Sequence, residues 1–113
     1  MLEALDPSII WAEPDLSGVA FSGEHHSRER VLKKVFEPVR REVDDFEVVP
    51  EEFIDAGDRV VVLGRYRGHG TDTGVTLDAA FAHVWTMRRG KVIRYRDYYD
   101  TANWLRSLAG LAM

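Results

Sequence analysis

The stretch "VTLDAAFAHVWTMRRGKVIRYRDYYD", residues 75–100, decides the fold. Two runs rich in β-branched and aromatic residues flank "RRGK" (88–91), a tight-turn signal, and so read as a long β-hairpin. Side chains alternate between faces along a strand. On the first run Leu77, Ala79, Phe81, His83, Trp85 and Met87 share one face, and Asp78, Ala80, Ala82, Val84, Thr86 and Arg88 the other. On the second, Ile93, Tyr95, Asp97 and Tyr99 form the matching apolar face, while Val92, Arg94, Arg96 and Tyr98 oppose it. The bulkier, more apolar face should be covered by a helix. Two polar side chains, His83 and Asp97, then point into an aromatic interior from neighbouring strands.

The rest of the chain supplies that covering layer and more sheet. "DRVVVLGRYRG" (58–68) is a strong β-branched strand. "FEVVPEEFIDAG" (46–57) is a strand weakened by Pro50, which belongs near a sheet edge. "GHGTDTG" (68–74) is a turn cluster. Val31, Leu32, Val35, Phe36, Val39 and Val43 recur at helical spacing behind the N-cap Ser27, which predicts a helix over residues 28–43, kinked by Pro38. "SIIWAEP" (8–14) reads as a short strand ended by Pro14, and "DLSGVAFSGEHHS" (15–27) as a loop. Met1 to Leu5 reads as a helix end, stopped before Asp6-Pro7. "TANWLRSLAGLAM" (101–113) suits a short terminal helix. One dominant helix laid across a four-stranded antiparallel meander makes an α+β domain.

Composition narrows the function. The chain has 113 residues, 45% of them hydrophobic and 30% charged, enough for one domain with one core. Its formal net charge is −4 and its basic residues occur in short pairs, which argues against a nucleic-acid partner. The absence of cysteine excludes disulfides and thiolate chemistry and fits the cytoplasm. No apolar run reaches membrane-spanning length and no signal peptide opens the chain. His25-His26 and His69 lack the spacing of a metal site, so no metal or cofactor is expected.

"AHVWTMRRGKVIRYRDYYDT" (82–101) resembles the last hairpin of SnoaL-like proteins in the nuclear transport factor 2-like superfamily. "EEFIDAGDRVVVLGRYRG" (51–68) and "WAEP" (11–14) look equally typical of it, so the resemblance runs from about Leu5 to Trp104. It implies a single domain over residues 1–113. The implied fold is a cone, with a strongly curved antiparallel sheet wrapped around helices and an apolar cavity. The family's first helix would precede the point where this chain begins.

The resemblance also implies roles. In the limonene epoxide hydrolases and the SnoaL-type polyketide cyclases, a last-strand aspartate is catalytic, and it matches Asp97 in "YRDYYD". The hydrolases also need an arginine and a second aspartate, where this chain has Gly64 and Tyr66. In the ketosteroid isomerases the general base lies at the position of Glu13 in "AEP", and a protonated acid that donates to the oxyanion falls on His83. A carboxylate among Tyr95, Tyr99, Trp85 and Phe81 is desolvated, which raises its pKa and suits it to acid–base work. The plainer alternatives are that Asp97 and His83 only satisfy one another in a core and that Glu13 is solvated at a strand end. Trp11, Tyr66, Phe81, Trp85, Tyr95, Tyr99 and Trp104 are the candidate wall of a hydrophobic ligand site.

Two functions compete. One is a cofactor-independent isomerase, cyclase or hydrolase acting on a small hydrophobic molecule, with Asp97 as acid/base and His83 and Glu13 assisting. The other is a non-catalytic ligand-binding or dimerisation module with a vestigial pocket. The outer sheet face, small residues beside Arg94 and Arg96, is the expected homodimer surface.

Overall fold

A computed structural model describes residues 2–16 and 18–109, apart from the side chain of Leu2. The readings made for Met1, Ser17 and the last turn of the terminal helix (110–113) lie outside the described residues. The strands are β1 (Leu5–Ala12), β2 (Glu24–His26), β3 (Val43–Ala56), β4 (Arg59–Gly70), β5 (Thr76–Arg88) and β6 (Lys91–Tyr99). Helix α1 covers residues 28–42 and α2 is Thr101–Ala109. One six-stranded sheet has the order β2-β1-β6-β5-β4-β3.

The meander β3 to β6 is antiparallel throughout, and β3 is indeed an edge. The sheet as a whole is mixed, because β1 runs parallel to β6. The segment expected to be a plain loop also contains β2, which caps the far edge by pairing with β1. Its sequence, Glu-His-His, has no apolar alternation to announce a strand. The N-terminal helix end is a single 3-10 turn, Leu2–Ala4, after which Pro7 is carried inside β1 at a break in its register with β6. The "GHG" (68–70) assigned to a turn is the end of β4, and the turn begins at Thr71.

Local chemistry explains the hairpins. Arg89 and Gly90 both have positive φ (52° and 76°), the geometry of a two-residue turn whose twist matches its strands. Register shifts at Asp44/Glu47 and Pro50/Glu52 bend β3, with Pro50 at the second one on an edge where its missing N–H is tolerated. A further shift at Thr86/Met87 leaves Ile93 as the extra residue of β6. Below it the parity flips. Val92 is buried and Ile93 only half-buried, which corrects the expected inner set at that one position.

Helix α1 opens at Ser27, whose side-chain oxygen accepts from the Arg30 N–H. Val31, Val35 and Val39 are buried on its inner side. Before Pro38 the helix widens by one π-turn, Leu32–Phe36, in which the Glu37 N–H donates to the Leu32 carbonyl. Pro38 has no N–H to give, so the strain of accommodating it is taken up by this bulge. Val43, expected to end the helix, starts β3 instead.

Gly64 is a packing glycine on the inner face of β4. A Cβ there would stand 2.7 Å from the Phe81 ring and press on the Val49 carbonyl. Gly64→Ala should therefore destabilise the fold by about 1–3 kcal/mol, read as a lower urea midpoint. An unchanged midpoint would show that the β3 backbone at Val49 gives way as well as the Phe81 ring. Among the described residues no helix is long and apolar enough to cross a membrane.

Candidate functional site

The inner face of the sheet and the inner side of α1 line an open cavity of about 810 Å³, within the size range of small-molecule sites. Its wall is mainly aromatic. Trp11 of β1 stacks on Tyr95 of β6, with ring centroids 3.8 Å apart, and Trp85 of β5 packs on Tyr95 at 4.4 Å. The parallel β1–β6 pairing sets this up by placing Trp11 opposite Tyr95 and Ala12 opposite Arg96. The next residue, Glu13, is thereby carried to Asp97.

Asp97 and His83 are cross-strand partners on β6 and β5, as the hairpin parity requires. Both are buried, at 4% and 5% exposure. They do not form a direct hydrogen bond: His83 Nε2 lies 3.4 Å from Asp97 Oδ1. The hydroxyl of Tyr66, from β4, joins them. It donates to Asp97 Oδ2 and lies 2.5 Å from His83 Nε2. A tyrosine has one proton, so with Asp97 ionised its oxygen must accept from an Nε2–H of His83. Burial pulls the His83 pKa down to about 3, so the ring is neutral at physiological pH. Phe81 stacks flat on it at 3.9 Å and fixes its orientation.

Glu13 is the other half of the site. Its Oε2 accepts from the Trp11 indole N–H at 2.7 Å. Burial first, and then the negative charge of Asp97, raise the Glu13 pKa well above the usual carboxylate range. Burial also raises Asp97, to about 6, against hydrogen bonds from Tyr66, Tyr95 and Glu13 that favour its ionised form. The direction of both shifts is that of two carboxyls sharing one proton, held by Glu13 and donated to Asp97. The site thus pairs a carboxyl that ionises near 6 with one that holds its proton well above the usual carboxylate range. Removing the Tyr66 donor should raise Asp97 further: in Tyr66→Phe its carboxyl carbon should titrate above about 6 by NMR, and an unmoved midpoint would deny Tyr66 this role.

Of the residues singled out from sequence, Glu13, His83 and Asp97 meet here. Trp11, Tyr66, Trp85, Tyr95, Tyr99 and Trp104 line the cavity. Phe81 does not; it lies behind His83 and Tyr66 and supports them. Sequence reasoning missed Phe21, Phe36 and Phe46, which also line it. Phe36 was read as part of the α1 stripe, but Phe21 sits in a loop with no periodicity to mark it. It also took Tyr66 for wall only, although the period-two pattern puts Val62, Gly64 and Tyr66 on one face. Gly64, where the epoxide hydrolases carry arginine, has no room for any side chain. Of the histidines set aside, His25 contacts the Phe21 carbonyl at 3.1 Å and His26 pairs with Glu24 at 2.7 Å. No group of three or more His, Cys, Asp or Glu side chains among the described residues is placed to hold a metal ion.

The SnoaL-like domain family matches residues 1–95. This chain belongs to the SnoaL-like family. The SnoaL-like chain is similar to an NTF2-like protein of unknown function from Burkholderia pseudomallei, at 31% identity and a TM-score of 0.87, covering 96% of this chain and 82% of that one. It is similar to TerC, co-crystallised with polyporic acid, at 30% identity and a TM-score of 0.84, covering 95% and 82%. A protein assigned as a SnoaL-like polyketide cyclase, from Jannaschia sp. CCS1, shares the fold at 20% identity and a TM-score of 0.79, covering 96% and 76%. No curated protein matches the sequence.

Proposed function

We propose that this SnoaL-like protein binds a neutral, largely apolar small molecule in the cavity and moves a proton on it without a cofactor. The observation that carries this reading is the meeting of Glu13 and Asp97 on an aromatic wall, where burial raises the pKa of both carboxyls. The ionised Asp97 takes a proton from carbon next to a carbonyl. The neutral Glu13 returns one, or donates to the oxygen on which charge develops. Oδ1 of Asp97, left free by Tyr66, is the oxygen that exchanges. His83, neutral and bonded to Tyr66, holds the carboxylate's orientation and is not an acid. This chemistry serves an isomerase or a cyclase. It does not serve an epoxide hydrolase of the limonene type, for which Gly64 and Tyr66 are the wrong groups.

Wild-type protein incubated in D₂O with a panel of cyclic and aryl alkyl ketones that carry hydrogen on the carbon beside the carbonyl should speed deuterium incorporation at that carbon, followed by NMR. The rate should rise with pH through about 6 as Asp97 ionises. Tight binding of a panel member with no exchange at any pH would support the second reading, a ligand-binding module. That alternative draws on the incomplete hydrolase triad. We also propose that two copies associate through the outer sheet face, where Tyr98, 51% exposed, follows Arg94 and Arg96 along β6 and accepts from Arg96 at 3.4 Å. Tyr98→Glu should then halve the mass seen in sedimentation, and an unchanged mass would place any association elsewhere.

A further inference from the structure

One row of side chains crosses the inner face of the sheet from the carboxyl pair to the far edge. Asp97 pairs with His83, His83 with Val62, and Val62 with Phe53. All four residues line the cavity. Three strand spacings separate the ends of the row, so Phe53 stands about 14 Å along the sheet from Asp97. Asp97 is 4% exposed and Val62 8%, whereas Phe53 is 67% exposed. The row begins in the buried site and ends on an open lip.

A bulge puts Phe53 on this face. Val48 and Pro50 pair with the inward Tyr66 and Gly64, so plain alternation would turn Glu52 and Ile54 inward and Phe53 outward. The register shift between Pro50 and Glu52 reverses this. Glu52 pairs with Leu63 and Ile54 with Val61 on the outer face, and Phe53 falls in with Val62. Bulges of this kind interrupt the ladder and re-aim a side chain, commonly beside a functional site. Nor is Phe53 a lone exposed ring. Val48, 49% exposed, and Pro50 also line the cavity, and with Phe53 they carry its apolar wall out to the edge.

Charge narrows what covers this lip. β3 carries Asp44, Asp45, Glu47, Glu51, Glu52 and Asp55 and no basic residue. The β3 edge of a second copy laid alongside would set acid against acid, and an anionic lipid surface would be repelled. A neutral apolar chain whose other end already lies in the cavity meets neither obstacle.

We propose that Phe53, with Val48 and Pro50, forms a subsite for an apolar tail, and that the ligand is elongated. Its reacting head lies at Glu13 and Asp97, and a neutral hydrocarbon portion runs along the row to the β3 edge. The inference rests on the cavity being the ligand site proposed above, and it narrows the ligand class by length.

The test uses the whole chain and two ketones, acetophenone carrying a para-ethyl or a para-hexyl chain, with binding followed by calorimetry. The hexyl compound should bind about tenfold tighter than the ethyl one, because its outer methylenes leave water on the lip. Phe53→Ala, a change at an exposed position, should cut that gain to about twofold. Ile54→Ala, one residue further on but on the outer face, should keep the gain whole. In NMR of the complex the terminal methyl of the hexyl chain should show Overhauser contacts to the Phe53 ring. Equal affinities for the two ketones, or a gain that survives Phe53→Ala, would overturn the tail subsite. A gain lost equally in Ile54→Ala would also overturn it, by making the effect a property of the strand and not of the cavity face. Binding of neither ketone to the folded protein would overturn both the subsite and the ligand cavity. A gain that depends on Phe53, in a protein that exchanges no proton on any ketone, would leave the subsite standing and sink the acid–base reading alone.

Discussion

Asp97→Asn is expected to slow ketone proton exchange by about 10²–10⁴-fold while changing ligand affinity little. The amide has nearly the same shape and can still accept from Tyr66, so the hydrogen-bonded hub of Tyr66 and His83 should persist. What it lacks is basicity. Glu13 is a poor substitute, because burial, the larger cause of its raised pKa, remains in the variant. Glu13→Gln should be milder, since a neutral side chain still donates to the developing oxygen even though it cannot return the proton. Retention of wild-type exchange in Asp97→Asn would move the chemistry to another group and leave Asp97 with an ordering role.

The same variant is expected to be more stable than the wild type at neutral pH, by on the order of 2–3 kcal/mol. The sign follows from where the proton is held. Folding raises Asp97 from an ordinary value of 3.8 to about 6. Between those values the folded chain binds more protons than the unfolded one, so wild-type stability falls as pH rises through that window. Above about 6 the full cost of the buried charge is present. Asparagine has no such cost. The advantage of Asp97→Asn in urea melts should therefore be largest near pH 8 and vanish below about pH 4. A variant less stable than wild type at pH 8 would mean that the carboxylate is well solvated or well paired. Gain of stability together with loss of exchange would mark Asp97 as a group retained for function.

The parts of this site that follow from local periodicity were legible in the sequence. Alternation along β5 and β6 places His83 opposite Asp97 among aromatic side chains, and the structure pairs those two residues. Alternation also places Arg65 on the outer face, where it pairs with Asp78 at 2.6 Å. What local pattern does not encode is the partner of β1. Its parallel seat beside β6 is a long-range pairing across most of the chain, and it alone brings Trp11 onto Tyr95 and Glu13 to Asp97. Only the family resemblance pointed to Glu13. Tyr66 escaped for a different reason. Its inward direction could be read from β4, but a hydroxyl reaching two partners on two other strands depends on sheet curvature. The misplacement of Ile93 has a similar origin, since a one-residue bulge leaves no mark in a run of apolar and aromatic residues.

A proton shared by Glu13 and Asp97 should be visible in a ¹³C NMR titration of the side-chain carboxyls, with Glu13→Gln and Asp97→Asn used for assignment. Asp97 should titrate near 6 and Glu13 well above its ordinary range. In Asp97→Asn Glu13 should come down part of the way, because burial still holds it up, whereas in Glu13→Gln Asp97 should not fall, because the Glu13 hydrogen bond favours its ionised form. If both carboxyls instead titrate near their ordinary values of 3.8 and 4.5, the pair is solvated, the shared proton does not exist, and the acid–base account fails.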